Sequence, residues 1–421
     1  MRFWSILILS LLLVACGAAE ATPSPTAGPG VTALPATPAR PATTTPVVAT
    51  ATRPAPATPR RSATTAPPSA TPTAVATATP PATATTAPAG STDLTQLPVT
   101  AFARGLDQPV ALAWAPDGRL FVAELVTGRV RVISPSGEVQ AEPVAQFRVA
   151  HPPGYSEHGL LGLALHPQFE ANHLVYVFYS VPDANGRPVK QVIARFREAD
   201  GQTVGEPEIV VDNLPVGPAC CHNGGRIAFG PDGKLYATVG DTQQSALAQR
   251  SDDLAGNVLR YNDDGSVPED GPFGVGNPVW AIGLRNPFGL AFDRKTGELF
   301  VTENGPSEND EVDRIERGTN YGWPVVTGVA GRSDFVDPIW VMKQTVAPTG
   351  LTIYRGTALP GADGDLFFCN WNDGQLRQLE HDGSNERRLF DDCRTDVIEG
   401  PDGALSIAGT GTIWRLGPEG R

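Results

Sequence analysis

No aromatic residue occurs between Trp4 and Phe102. A stretch of that length without Phe, Tyr or Trp cannot offset its own ordering entropy by burial, which excludes a packed core there. Residues 17–96 instead hold 16 of the 41 prolines, set among Ala, Thr and Ser. That is the composition of a disordered, partly polyproline II stalk, reaching at most ~250 Å at about 3.1 Å per residue. Positive charge is scarce as well, with 32 basic against 45 acidic side chains and a net charge of −13. The shortfall argues against a nucleic-acid polyanion as partner. It is also concentrated, since residues 1–96 carry Arg2, Arg40, Arg53, Arg60 and Arg61 against Glu20 and Asp93, a net of +3, which leaves −16 for 97–421.

Long hydrophobic runs are missing too. The apolar run from Ile6 to Val14 is shorter than the ~20 residues a membrane span needs and reads as a signal-peptide core. It ends in Leu-Val-Ala-Cys at Leu13–Cys16, which resembles the lipobox of bacterial lipoproteins, whose cysteine is lipidated and becomes the mature N-terminus. The expected organisation is therefore a lipoprotein signal peptide over 1–16, a disordered linker over 17–97 and an acidic globular domain over 98–421. A plain secretory signal with a fortuitous cysteine is the alternative. The globular domain is expected outside the cytoplasmic membrane, attached through the lipid on Cys16 and in no other way.

Cysteine is sparse, with five residues in all. Setting Cys16 aside leaves Cys220, Cys221, Cys369 and Cys393, an even number in a compartment that permits disulfides, with three possible pairings. Two adjacent cysteines cannot easily both reach distant partners, which favours Cys220 with Cys221 and Cys369 with Cys393. Crossed pairing and free thiols stay open. No spacing matches a structural zinc site.

The 45 glycines and 41 prolines are too many breakers for a mainly helical protein, and they fall in a pattern. A turn followed by a strand recurs six times, at Pro116–Glu124, Ala171–Tyr179, Pro231–Asp241, Lys295–Glu303, Ala362–Asn370 and Pro401–Gly409. Asp-Gly or its equivalent supplies the positive φ of a tight hairpin, and the Leu-x-aromatic/Val pattern after it gives period-two burial. A second strand follows at Val130–Ile133, Val258–Tyr261, Val312–Ile315, Leu376–Leu379 and Ile413–Leu416. Six units of about 54 residues, each long enough for four strands, predict an all-β, six-bladed β-propeller. A large β-sandwich with repetitive turns is the competing reading.

Three clusters could carry chemistry at a propeller mouth. His222 lies in Cys220–Gly233, a loop leading into a blade, and its two following glycines permit close approach to a ligand. A histidine there has the range for general base work, with a structural role as the alternative. His166, His173 and His381 read as structural. Arg285 and Asn286 lie in Gly283–Asp293, where the arginine could grip a carboxylate or pin loop carbonyls. Glu303, Glu308, Asp310, Glu311 and Asp313 crowd hard oxygen ligands into eleven residues, with Tyr321 shortly after. Such a set suits calcium rather than zinc, and solvated loop charge is the plain alternative.

At these residues the sequence resembles the soluble pyrroloquinoline-quinone-dependent sugar dehydrogenases, the glucose/sorbosone and aldose sugar dehydrogenase family. The resemblance rests on five segments in order, Gly159–Phe169, His222–Tyr236, Gly283–Phe292, Glu303–Ile315 and Asn320–Pro324, and spans about Arg104 to Leu416. It implies a six-bladed propeller, with His222 as the base that takes the proton of a sugar hydroxyl while hydride passes to the quinone. It implies that Arg285 and Asn286 contact the quinone oxygens, that the carbonyls of Gly305 and Pro306 hold the cofactor's calcium, and that Asp310, Glu311 and Tyr321 hold a separate structural calcium. Glu157 stands at a cofactor-contacting position where the glucose enzymes have glutamine, and Cys221 replaces an aspartate beside the base. Asn372 falls where a cofactor-binding lysine is expected, and Arg394 alone represents two arginines. Those departures remove two or three cationic contacts to a tricarboxylate, each worth about 1.5–3 kcal/mol. The implied activity is oxidation of a small sugar with pyrroloquinoline quinone and calcium, passing electrons to an acceptor the sequence does not name. A non-catalytic calcium-stabilised propeller that binds glycan or protein, and a calcium-dependent lactonase-type hydrolase, are the alternatives.

Overall fold

The computed structural model describes residues 93–154, 157–217 and 219–418. The expectations placed on residues 1–92, including Cys16, lie outside the described residues. Among the described residues, no helix is long and apolar enough to cross a membrane.

The chain folds into six four-stranded antiparallel sheets, the blades of a propeller. Blade one holds Pro109–Trp114, Leu120–Glu124, Arg129–Ile133 and Ala145–Gln146, and blade two Leu160–Leu165, Leu174–Pro182, Pro188–Ala199 and Gln202–Leu214. Blade three holds Ile227–Phe229, Leu235–Val239, Asn257–Tyr261 and Val279–Ile282, and blade four Pro287–Phe292, Leu299–Glu303, Asp310–Ile315 and Trp340–Met342. Blade five holds Pro348–Ile353, Leu366–Asn370, Gln375–Leu379 and Arg387–Asp391. Blade six joins Asp396–Glu399, Leu405–Ala408 and Thr412–Leu416 to Val99–Arg104 from the start of the domain.

Every repeat found in the sequence is the turn between a blade's first and second strands together with that second strand. The expected alternation is modified there. Leu120–Glu124, Leu235–Val239, Leu299–Glu303 and Leu366–Asn370 are buried at all five positions. Each sheet has a neighbouring blade against both faces, so its inner strands read as continuous rather than alternating burial. The six units are also offset by one strand from the chain order. Val99–Arg104 pairs with Thr412–Leu416, so the two ends of the domain close the ring by a shared sheet, in which Val99–Arg104 is the outer edge strand.

Arg226 of blade three reaches to blade six, donating from Nη1 to Asp396 Oδ2 at 3.2 Å and from Nη2 to the carbonyls of Val110 and Thr395 at 3.1 Å each. Disulfides join Cys220 to Cys221 and Cys369 to Cys393, the pairing that adjacency favoured. The second ties the inner part of blade five to the segment leading into blade six.

Candidate active site

The loops that lead into each blade's first strand and those that follow its second strand open on one side of the ring. His222 and Arg285 lie on loops of the first kind, before blades three and four, whereas Asp241 and Gly305 lie on loops of the second kind, after the second strands of the same blades.

His222 has φ +63, a left-handed conformation uncommon for a side chain with a Cβ. Its Nδ1 is 2.7 Å from Asp241 Oδ1, and its main-chain N–H donates to Glu157 Oε2 at 2.7 Å. The carboxylate at Nδ1 favours the tautomer with the proton there, which leaves the Nε2 lone pair to accept one. Asp241 is itself buried and fixed. Its Oδ2 takes the indole N–H of Trp323 at 2.8 Å, its Oδ1 takes the Gln243 N–H at 2.7 Å, and its own N–H donates to the Arg285 carbonyl at 2.7 Å. Sequence reasoning missed Asp241 and Trp323. The available signal was that Asp241 ends the third repeat at the mouth side of its strand, the register that Gly305 occupies one blade later. The glycines near His222 serve packing. A Cβ on Gly225 would stand 2.6 Å from the Leu161 side chain, and one on Gly240 2.2 Å from the His222 carbonyl oxygen.

Arg285 stacks over Trp323 with 5.5 Å to the ring centroid and donates from Nη1 to the carbonyls of Asn304 and Gly305 at 2.9 Å each. It pins loop carbonyls, as one of its two sequence readings had it, and burial lowers its pKa from the ordinary value. Asn286 Nδ2 donates to Glu157 Oε2 at 3.1 Å, while its Oδ1 accepts from Gly224 N at 3.3 Å. Glu303 Oε1 receives the N–H groups of both Arg285 and Asn286, at 2.6 and 3.0 Å. Glu157, His222, Arg285 and Asn286 are thus brought together, and Cys220 and Cys221 flank them.

The acidic cluster divides in two. Asp310 spends both oxygens on main-chain amides, Oδ1 on Gly305 at 2.9 Å and Oδ2 on Val346 and Ala347 at 2.6 and 2.8 Å. It shapes the Gly305 loop. Tyr321 donates its hydroxyl to the Arg314 carbonyl at 2.7 Å and accepts from Glu316 N at 2.8 Å. Glu303, Glu311 and Asp313 are different. Glu303 pairs directly with Glu311 across two strands, and Asp313 lies two residues further along, so alternation places all three carboxyls on one sheet face. All are buried, and Glu303 Oε2 and both Asp313 oxygens have no hydrogen-bond partner. Burial raises the pKa of Glu303 to about 8, and burial together with the neighbouring carboxylates raises those of Glu311 and Asp313. Carboxyls crowded together and out of water either keep their protons or take up a cation. An all-oxygen donor set of this kind fits calcium. Gly305, Pro306, Glu303, Glu311 and Tyr321 line one small cavity there.

On the far side of the mouth, Asn372 Nδ2 donates to the Thr345 carbonyl at 3.0 Å and Arg394 Nη1 to the Trp371 carbonyl at 2.7 Å. His166 accepts Gln168 N and Asn172 Nδ2 at a short helix, His173 ends that helix, and His381 lies 3.1 Å from Glu298. All three lie in turns at the end of the blades away from the mouth, His166 and His173 between the first and second strands of blade two and His381 between the third and fourth strands of blade five.

Residues 106–414 match the Glucose / Sorbosone dehydrogenase family. An aldose sugar dehydrogenase of Escherichia coli is 28% identical over 72% of this chain and 87% of its own. A quinoprotein glucose dehydrogenase of Acinetobacter calcoaceticus is 34% identical over 55% of this chain and 53% of its own. The structure of the PQQ-bound form of an aldose sugar dehydrogenase from Streptomyces coelicolor superposes with a TM-score of 0.65, at 29% identity, covering 76% of this chain and 97% of that one. With its six blades, its mouth residues and a family match over most of its length, the chain belongs to the glucose/sorbosone dehydrogenase family, whose soluble quinone-dependent sugar dehydrogenases it resembles in sequence and fold.

Proposed function

We propose that the protein is an extracytoplasmic, lipid-anchored dehydrogenase that oxidises an aldose or related alcohol with pyrroloquinoline quinone and calcium. The observation that carries this reading is the His222–Asp241 pair at 2.7 Å, set beside Arg285 and Asn286 at the mouth of a sugar dehydrogenase propeller. When bound, the quinone supplies the two-electron acceptor, and its calcium, held by the Gly305 and Pro306 carbonyls, supplies Lewis acidity.

The chain's own residues do the rest. His222 Nε2 takes the proton of the substrate hydroxyl, and Asp241 stabilises the imidazolium that results. Arg285, half-buried over the Trp323 ring, places a positive charge where negative charge develops. Asn286 offers a side-chain amide that Glu157 Oε2 and the Gly224 N–H hold from two sides, while Glu303 accepts its main-chain N–H. A structural calcium is assigned to Glu303, Glu311 and Asp313, with Asp310 shaping the adjoining loop. The Tyr321 hydroxyl is already engaged by the Arg314 carbonyl and the Glu316 N–H.

Saturable binding of pyrroloquinoline quinone in calcium buffer, with cofactor reduction on adding an aldose, is the result expected. Absence of binding at micromolar cofactor overturns the reading, and would direct attention to the shortage of cations around Asn372 and Arg394. The anchoring is tested separately, since lipid incorporation should vanish in Cys16→Ala.

A further inference from the structure

The base is gripped twice, by two acidic side chains on different loops. Asp241 holds the imidazole. Glu157, on the loop leading into blade two, holds the backbone. Its Oε2 accepts the His222 N–H at 2.7 Å, its own N–H donates to the Cys220 carbonyl at 3.2 Å, and its carbonyl accepts Asn223 Nδ2 at 3.1 Å. The same Oε2 takes Asn286 Nδ2 at 3.1 Å, and Asn286 Oδ1 returns to the turn by accepting Gly224 N at 3.3 Å. A closed circuit therefore runs from Glu157 through His222 and Gly224 to Asn286 and back. One carboxylate oxygen joins the loops that lead into blades two, three and four.

His222 needs such a grip because its φ of +63 is unfavourable for a residue with a Cβ and persists only where the surroundings impose it. Asp241 fixes the ring and the Thr242 N–H holds the His222 carbonyl at 3.2 Å, but neither engages the His222 N–H, so without Glu157 the N-terminal side of the turn can relax toward an ordinary conformation, which moves Nε2. A hydrogen bond from an amide to an ionised carboxylate is among the stronger ones available to a main-chain N–H.

We propose that Glu157 is the positioning residue for the base: it locks the His222 turn in its left-handed conformation and registers that turn against Asn286. The proposal rests on the reading of His222 as base, and it adds a role for Glu157 that contact with a cofactor does not require. A carboxamide can accept the same two hydrogen bonds through its single oxygen, whereas alanine can accept neither.

The test compares Glu157→Ala and Glu157→Gln with the unsubstituted protein in two ways. The first is hydrogen exchange of the His222 amide, measured without cofactor or sugar. Glu157→Ala should exchange about 10- to 100-fold faster at that amide, the factor expected for losing one charge-assisted hydrogen bond, and Glu157→Gln should restore most of the protection. The second is turnover with quinone, calcium and aldose. Glu157→Ala should lower kcat about tenfold or more with the sugar KM within about threefold, and Glu157→Gln should recover most of kcat. Unchanged exchange in Glu157→Ala overturns the proposal, as does a kcat loss that Glu157→Gln leaves in place although it restores protection. Should Glu157→Ala not fold, Glu157→Asp, one methylene too short for the same reach, is read identically. If the unsubstituted protein turns over no sugar, the dehydrogenase reading fails, while the exchange measurement still decides whether Glu157 holds the turn.

Discussion

Arg226 and Asp396 meet at 3.2 Å between blades three and six, and both side chains are almost wholly buried. Asp396 also receives the N–H groups of Leu112 at 2.8 Å and Val397 at 3.1 Å, so a single acidic residue gathers three parts of the ring. Burial raises its pKa to about 6, with Arg226 acting in the opposite direction.

Removing one member of this pair leaves the other buried and uncompensated, at a cost of about 3–5 kcal/mol. Arg226→Met should therefore lower the melting temperature by many degrees, and more at pH 7 than at pH 5, because the stranded carboxyl can stay protonated at the lower pH. Thermal melts at the two pH values measure this. An unchanged melting temperature at both would mean that the cross-ring contact contributes nothing to stability.

The second expectation concerns the base. His222→Ala should abolish turnover, and Asp241→Asn should reduce kcat by about 10²–10⁴, the range for a general base and the group that orients it. Neither substitution removes core packing, so both proteins should melt close to the unsubstituted one. Steady-state kinetics beside calorimetry separates the effects, and a retained rate in His222→Ala removes its assignment as base.

A calcium ion at Glu303, Glu311 and Asp313, as proposed, would link stability to both chelator and pH. The folded state holds the pKa of Glu303 near 8, against 4.5 for the ordinary group, and raises the other two as well. Without calcium the native protein thus keeps protons that the unfolded chain releases, and stability is lost as pH rises from about 4 toward 8. A chelator should lower the melting temperature more at pH 8 than at pH 5, and Asp313→Asn should soften the loss by removing one of the buried charges. A melting curve indifferent to both chelator and pH would exclude the cation site.

The Cys369–Cys393 bridge spans 24 residues, a loop whose closure is worth about 3 kcal/mol in the chain-entropy account. The double substitution Cys369→Ala with Cys393→Ala should lower stability by roughly that amount, read from denaturant titration. Mass spectrometry should show a gain of two hydrogens per disulfide on reduction, and native alkylation of either thiol would contradict the bridge.

Much of this molecule is written locally. A tight turn with Asp-Gly and a following Leu-x-aromatic strand needs only near neighbours in the chain, so the six repeats, the second and most of the third strands, and the blade count are visible in the residues, while the first and fourth strands are not. The aromatic desert before Phe102 marks the start of the domain for the same reason, since a core needs large apolar side chains. His222, Arg285 and Asn286 could be picked out because their residue types and nearby glycines signal chemistry on a mouth loop, and Glu311 because it falls in a run of carboxylates.

What escaped depends on distance through space. Val99–Arg104 closes the last blade only because the ring returns to its start, and Arg226 finds Asp396 across that ring, 170 residues on. Asp241 becomes a partner of His222 because the loop before blade three's first strand and the loop after its second meet on one side of the ring, and Asp313 joins Glu303 and Glu311 through strand register, while Asp310, one residue before Glu311, turns to amides instead. The sequence by itself determined the fold and the kinds of side chain available at the mouth. The tertiary structure alone decided which of them share a hydrogen bond, because closing a ring of six sheets brings together oxygens and amides that the chain keeps far apart.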